Sequence, residues 1–254
     1  MDLKLAGMSA LVTGGTKGIG RAIVETLLQE GVNVSFCARN QSEIDETLQS
    51  LQSRFSQKIF GMQADVGDAS ELNKWVLSSA EYLGGIDLVV SNVSALSIGT
   101  DEESWKKGFD IDVMGSVRFI EYAMPWLKKS KAASIVTISS VSGREIDFAA
   151  GPYGSFKASL IHYTQGLAYQ LAGQNIRANT VSPGNTYFPG GVWNQIEEGN
   201  PQLFKESLAL NPTGRMGTPQ EMANAVVFLS SPAASFITGT NLVVDGALTR
   251  GVQF

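Results

Sequence analysis

Thr13-Gly14-Gly15-Thr16-Lys17-Gly18-Ile19-Gly20 follows the apolar run Ala10-Leu11-Val12 and leads straight into a helical pattern. The order reads as strand, glycine turn and helix start. Glycine at these places permits a tight reversal, lets backbone N–H groups approach a ligand, and lets the helix pack closely on the strand. A helix N-terminus carries unpaired N–H groups and the positive end of its dipole, which favours an anionic group such as a phosphate. The spacing is G-x-x-x-G-x-G, not the G-x-G-x-x-G of the general phosphate-turn pattern. Taken alone, the stretch is suggestive only, the alternative being a glycine turn that holds nothing.

Working outward, Ile19, Ile23 and Leu27 recur every four residues, with Ala22, Val24 and Leu28 beside them, until Gly31 closes the helix. Val32 to Ala38 reads as a second strand ending in Ala38-Arg39-Asn40. At this strand end a dinucleotide-binding fold carries Asp or Glu for a ribose 2′-OH, or a nearby arginine for a 2′-phosphate. Ala38 offers no such acceptor, whereas Arg39 and Lys17 both suit a phosphate. The reading therefore favours NADP(H) over NAD(H), the alternative being that the two cations are ordinary solvated charges.

The 254 residues hold 43% hydrophobic and 17% charged side chains, and no linker or composition break divides them. One domain spanning 1–254 is expected. A net charge of -5 gives no electrostatic footprint for nucleic acid or an anionic membrane. Neither a basic leader nor an apolar run of bilayer length is visible, so a soluble, cytoplasmic protein acting on a small molecule is expected. Cys37 is the single cysteine and His162 the single histidine, which leaves no internal disulfide, no zinc-type cluster and no metal site to expect.

Further strands are read at 58–64, 86–90, 134–138, 176–181 and 241–244, alternating with helices at 42–55, from Asp68 to Leu83, 105–129, 152–171 and from Thr218 to Ser230. Asp68 with Glu71 suggests a capping box, and Pro125 suggests a bend in the long helix 105–129. Between 185 and 212 the pattern turns irregular and reads as a lid. Strand and helix alternation over seven strands implies an α/β, three-layer, doubly wound Rossmann-type fold on a parallel sheet.

Tyr153 and Lys157 stand four residues apart and share one helix face. An ammonium beside a tyrosine stabilises its phenolate, so the pair suits proton transfer to a carbonyl oxygen while a nicotinamide delivers hydride to the carbon. Ser140, at the end of the strand 134–138, suits a hydrogen bond to the same oxygen. On its own a Y-x-x-x-K pair also fits an exposed amphipathic helix face.

With Asp65-Val66, Asn92, Pro183-Gly184 and the C-terminal Ser235 to Gly239 and Val244-Asp245-Gly246, the chain resembles the short-chain dehydrogenase/reductase family over nearly its whole length. The resemblance, in a branch similar to 3-oxoacyl-[acyl-carrier-protein] reductases, implies NAD(P)(H)-dependent interconversion of carbonyls and alcohols. It implies catalytic roles for Ser140, Tyr153 and Lys157. It implies cofactor contacts at Gly14, Thr16, Lys17, Gly18, Ile19 and Gly20 in the turn and at Arg39 and Asn40 after the second strand. Asp65 is implied near the adenine, Val66 and Asn92 along the cofactor, and Pro183, Gly184 and Thr186 near the nicotinamide. A homotetramer or homodimer is also implied, with the helices 105–129 and 153–171 pairing across a two-fold axis. A non-catalytic NADP(H)-binding sensor is the alternative, opposed by the retention of Ser140, Tyr153 and Lys157 together.

Three departures stand out. Ser91-Asn92-Val93-Ser94 replaces the family's Asn-Asn-Ala-Gly, and Phe188 stands where a threonine near the cofactor amide is usual. Asp112 replaces the family's fourth catalytic residue, an asparagine, and as a carboxylate facing Lys157 it favours the charged lysine unless Asp112 itself takes up the proton. An active enzyme with an altered pH profile is the expectation. His162 reads as a packed or interface residue. Lys128, Lys129 and Lys131 fit an acidic acyl-carrier protein less well than they fit the cations that gather at a helix C-terminus.

Overall fold

The structure is a computed structural model and describes residues 1–252. Seven parallel strands, β1 (Ser9–Thr13), β2 (Asn33–Ala38), β3 (Ile59–Gln63), β4 (Leu88–Ser91), β5 (Ser134–Ile138), β6 (Arg177–Pro183) and β7 (Asn241–Val244), lie in the order β3-β2-β1-β4-β5-β6-β7. The order reverses between β1 and β4, and ligands of open α/β sheets bind beyond the strand ends at such a switch point. Strand residues alternate between two cores: Ala10 and Val12 face α1 (Gly18–Gln29), α2 (Gln41–Gln52) and α9 (Pro219–Ser230), whereas Leu11 faces α3 (Ala69–Leu83), α5 (Gly115–Leu127) and α6 (Pro152–Leu171). Both faces being covered, the strands are near-continuous apolar runs.

Local chemistry explains most boundaries. Gly31 takes φ +80° just past α1, and Gly84 takes φ +88° past α3, the left-handed conformation that glycine adopts without penalty. Thr218 and Glu221 form both bonds of a capping box on α9. Asp68 caps α3, but Glu71 accepts the Asp65 N–H at 2.9 Å instead of returning to Asp68, so the expected box is only half made.

Two expectations for the second half are corrected. The long helix 105–129 is interrupted: α4 (Glu102–Gly108) passes into a π-helical turn at Phe109–Met114 before α5 begins, while α5 runs on through Pro125. The irregularity therefore sits at Asp112, where wider π turns often mark functional sites. The stretch 185–212 is not irregular throughout, since it carries α7 (Val192–Gly199) and α8 (Pro201–Ala209), two amphipathic helices too short for a firm periodicity. Among the described residues no helix is long and apolar enough to cross a membrane.

Candidate active site

At the amino end of α1, Gly14 and Gly18 take φ of +71° and +52°. The Gly14 and Gly15 N–H groups donate to the Cys37 carbonyl at 2.9 and 3.2 Å, tying the turn to β2. A Cβ at Gly20 would stand 2.0 Å from the Gly14 carbonyl oxygen, so the third glycine is imposed by backbone meeting backbone. Thr13 Oγ1 accepts the N–H groups of Asn92 and Val93 at 2.9 and 3.2 Å, and Asn92 Nδ2 donates to Thr13 O at 3.0 Å, which fastens the end of β4 to the turn. Lys17, the N-cap of α1, makes no side-chain capping bond, so the first-turn N–H groups are open to an anion.

The flanking cations differ in their partners. Lys17 Nζ pairs with Glu43 Oε1 at 2.7 Å, and Thr16 Oγ1 donates to Glu43 Oε2 at 3.3 Å. Asn40 spends its side chain capping α2, accepting from Ser42 and Glu43 N–H groups. Arg39 is exposed, and its guanidinium has no protein partner among the described residues. Asp65 Oδ1 accepts the Gly67 N–H at 2.9 Å, Val66 is buried, and Thr186 Oγ1 donates to Gly184 O at 3.0 Å. Burial pushes the Cys37 thiol up to about 12, leaving it neutral behind the turn.

The other end is built on β5 and α6. Ser140 caps a short 3-10 turn, its Oγ accepting the Ser142 N–H at 3.2 Å, while Ser142 Oγ donates to Asp147 Oδ2 at 2.5 Å. This turn lies directly on α6 because each side offers a glycine to the other's backbone: a Cβ at Gly143 would stand 2.8 Å from Ala158 N, and one at Gly154 2.8 Å from Ser142 O. Their shared role is the signal by which sequence reading could have placed Ser140 beside Tyr153. Lys157 Nζ lies 5.7 Å from the Tyr153 ring centroid and donates to Ile138 O at 3.0 Å. Behind it, Asp112 Oδ1 stands 3.2 Å from Lys157 Nζ, with the two side chains 4% and 2% exposed. That oxygen has no aligned hydrogen bond, but charges at this distance attract without one. Asp112 Oδ2 accepts the Ala95 N–H at 2.8 Å, and its carbonyl accepts Ser116 Oγ at 2.7 Å.

One cleft of about 550 Å³ joins the two ends. Ser140, Tyr153 and Lys157 line it, together with every candidate cofactor residue except Gly18. Gly18 is covered by the Phe188 ring, which a Cβ there would meet at 2.4 Å. Asp112 does not line the cleft and reaches it through Lys157. Sequence reading missed Glu43, Leu96 and Lys107 in the wall; only Glu43 carried a signal, three residues beyond the N-cap Asn40. Trp193, packed edge-on against Phe148 at 5.9 Å, separates the cleft from a second cavity of about 360 Å³. The glycine cradle, the uncapped helix end and the volume fit a dinucleotide. His162 and Lys128, Lys129 and Lys131 are all exposed and lie outside the cleft.

Residues 14–249 match the family model described as enoyl-(acyl carrier protein) reductase. Isoepoxydon dehydrogenase from Penicillium expansum is 42% identical over 254 residues, covering 98% of each chain. Among solved structures, L-sorbose reductase from Gluconobacter frateurii, complexed with NADPH and L-sorbose, superposes with a TM-score of 0.92 at 27% identity over 99% of this chain and 100% of that one. An NADPH-bound short-chain oxidoreductase from Pseudomonas aeruginosa PAO1, described as containing an atypical catalytic center, gives 0.91 at 27% identity over 97% and 99%. The chain belongs to the short-chain dehydrogenase/reductase family and is an NADP(H)-dependent oxidoreductase interconverting a carbonyl and an alcohol.

Proposed function

We propose that this enzyme interconverts a ketone and a secondary alcohol with NADP(H), in the part of the cleft that Ser140, Tyr153 and Lys157 line. The observation that carries the reading is a single cleft running from the uncapped α1 N-terminus to the Tyr153 and Lys157 pair. When bound, NADPH supplies the hydride that reaches the carbonyl carbon. Tyr153 gives its phenolic proton to the carbonyl oxygen, so that the product is the neutral alcohol. Lys157, whose Nζ lies 3.2 Å from Asp112 Oδ1, stabilises the phenolate left behind and, as a lining residue of the cleft, would bind the cofactor ribose. Ser140 donates a hydrogen bond to the same substrate oxygen as negative charge gathers on it. The Gly14 to Gly20 turn receives the diphosphate, and Lys17 and Arg39 receive the 2′-phosphate. Gly184 and Thr186 border the nicotinamide, Asp65 and Val66 the adenine.

The NADPH complexes of the two structural neighbours support the cofactor assignment. Isoepoxydon and L-sorbose, taken from the names of relatives, are the first compounds to assay. The decisive experiment follows NADPH consumption and NADP⁺ reduction against these two, a ketone panel and β-ketoacyl thioesters, with NADH and NAD⁺ in parallel. Turnover with NADPH supports the reading; no turnover with any compound, or equal affinities for NADPH and NADH, overturns it. We assign one domain with a lid over 185–212, a cytoplasmic site of action and a homotetramer. Trp105, Phe109 and Phe156, clustered where α4 meets α6 and partly exposed, support pairing of that face. Light scattering on the purified protein tests it.

A further inference from the structure

The two cations at the adenosine end of the cleft are not equivalent. Arg39 has no ion pair among the described residues, whereas Lys17 is held by Glu43 at 2.7 Å. Glu43 sits at the third position of α2, where a carboxylate commonly returns to its own N-cap N–H, as Glu221 does in α9. Glu43 instead turns across the cleft to Lys17 and Thr16, leaving Asn40 to cap α2 unaided. Its side chain is 29% exposed against 69% for Lys17, so the carboxylate is the better-held member of the pair. Thr16, Lys17, Arg39 and Glu43 all line the cleft.

Lysine is a point charge on a flexible stem and needs no fixed partner in order to reach a phosphate. A bound 2′-phosphate, close to a dianion at neutral pH, must draw Lys17 from Glu43 and lie near a fixed negative charge. We infer that Glu43 is a specificity-determining residue that opposes the 2′-phosphate by competing for Lys17, and so narrows the discrimination between NADPH and NADH. The inference rests on the NADP(H) reading above. A neighbour that merely braced Lys17 for the phosphate would have the opposite effect when its charge is removed, which makes the sign diagnostic.

The test measures dissociation constants of NADPH, NADH and 2′,5′-ADP by calorimetry for the wild type, Glu43→Gln, Lys17→Ala and the double variant. Glutamine suits the same helix position and keeps an acceptor for Thr16, so the fold is retained, and a thermal melt verifies it. Glu43→Gln is expected to tighten NADPH and 2′,5′-ADP about threefold to tenfold, the span of an exposed ion pair plus a nearby repulsion, and to move NADH less than about twofold. The gain should shrink in the Lys17→Ala background. Weaker or unchanged NADPH binding, an equal shift for NADH, or a gain that persists in full without Lys17 would overturn the inference. The wild-type ratio of NADPH to NADH affinity tests the cofactor assignment separately, because the inference is read from the change that Glu43→Gln causes.

Discussion

Asp112→Asn restores the residue usual in the family, yet this chain is built around the carboxylate. Aspartate serves two demands at once: Oδ2 accepts the Ala95 N–H at 2.8 Å, and Oδ1 faces the Lys157 ammonium at 3.2 Å. An asparagine amide has a single carbonyl oxygen and an NH₂ group. If its oxygen faces Ala95, the NH₂ is presented to an ammonium; if the amide flips, the NH₂ meets an N–H group. Either way one buried contact sets donor against donor, and Lys157, 2% exposed, loses its counter-charge. Removing one partner of a buried ion pair costs about 3 kcal/mol at the low end. For a domain of this size that corresponds to a fall in Tm of roughly 6–12 °C. Calorimetric melting and urea unfolding at neutral pH measure it, and the pH dependence of kcat should change in the same variant because the ammonium that supports Tyr153 has lost its fixed partner. A melt within about 2 °C of wild type, together with an unaltered rate and pH profile, would refute the reasoning.

Tyr153→Phe removes the proton donor while keeping the ring near Lys157; kcat should fall about 10²–10⁴-fold with NADPH affinity nearly unchanged, and steady-state rates equal to wild type would sink the proton-transfer role. Gly20→Ala sets a Cβ 2.0 Å from Gly14 O and 2.6 Å from Asn92 Nδ2, so the turn must open; a loss of about 1–3 kcal/mol in stability and of NADPH binding is expected in a urea melt and a fluorescence titration, and wild-type values in both would refute the close-approach argument. Cys37 is raised from 9.0 to about 12 by burial, so in the native protein it stays a neutral thiol while an unfolded chain ionises near pH 9. Its contribution to stability is complete below about pH 9 and is lost as pH rises toward 12. A disulfide reagent at pH 9 should leave it unlabelled until urea unfolds the chain, and immediate labelling of the native protein would contradict this.

What could be read from the chain divides along a physical line. Strand β5, helix α6 and strand β7 were legible to the residue, because each is set by a local pattern: an apolar run, a proline at the first helical position, a turn on either side. The strand-end residues that line the cleft follow from the same kind of pattern. Parallel strands present their carboxyl ends to the ligand, and those ends are where apolar runs give way to the polar and small residues around Asn92, Ser140 and Gly184. The remainder depends on contacts between distant segments, for which no spacing rule exists. Lys17 meets a carboxylate 26 positions away, Gly18 meets the ring of Phe188, and Asp112 reaches the site only through Lys157. The π-helical turn at Phe109–Met114 escaped because no residue type marks a π turn in a sequence, and Ile111 within it and Phe119 beyond it both pack inward as a helical pattern would have them. Local pattern thus fixes where the reaction can occur, while these three cross-segment contacts hold the charges and walls that tune it. Variants at Glu43, Asp112 and Phe188 are therefore the ones that should change cofactor choice, pH response and fit while leaving the sheet and its order intact.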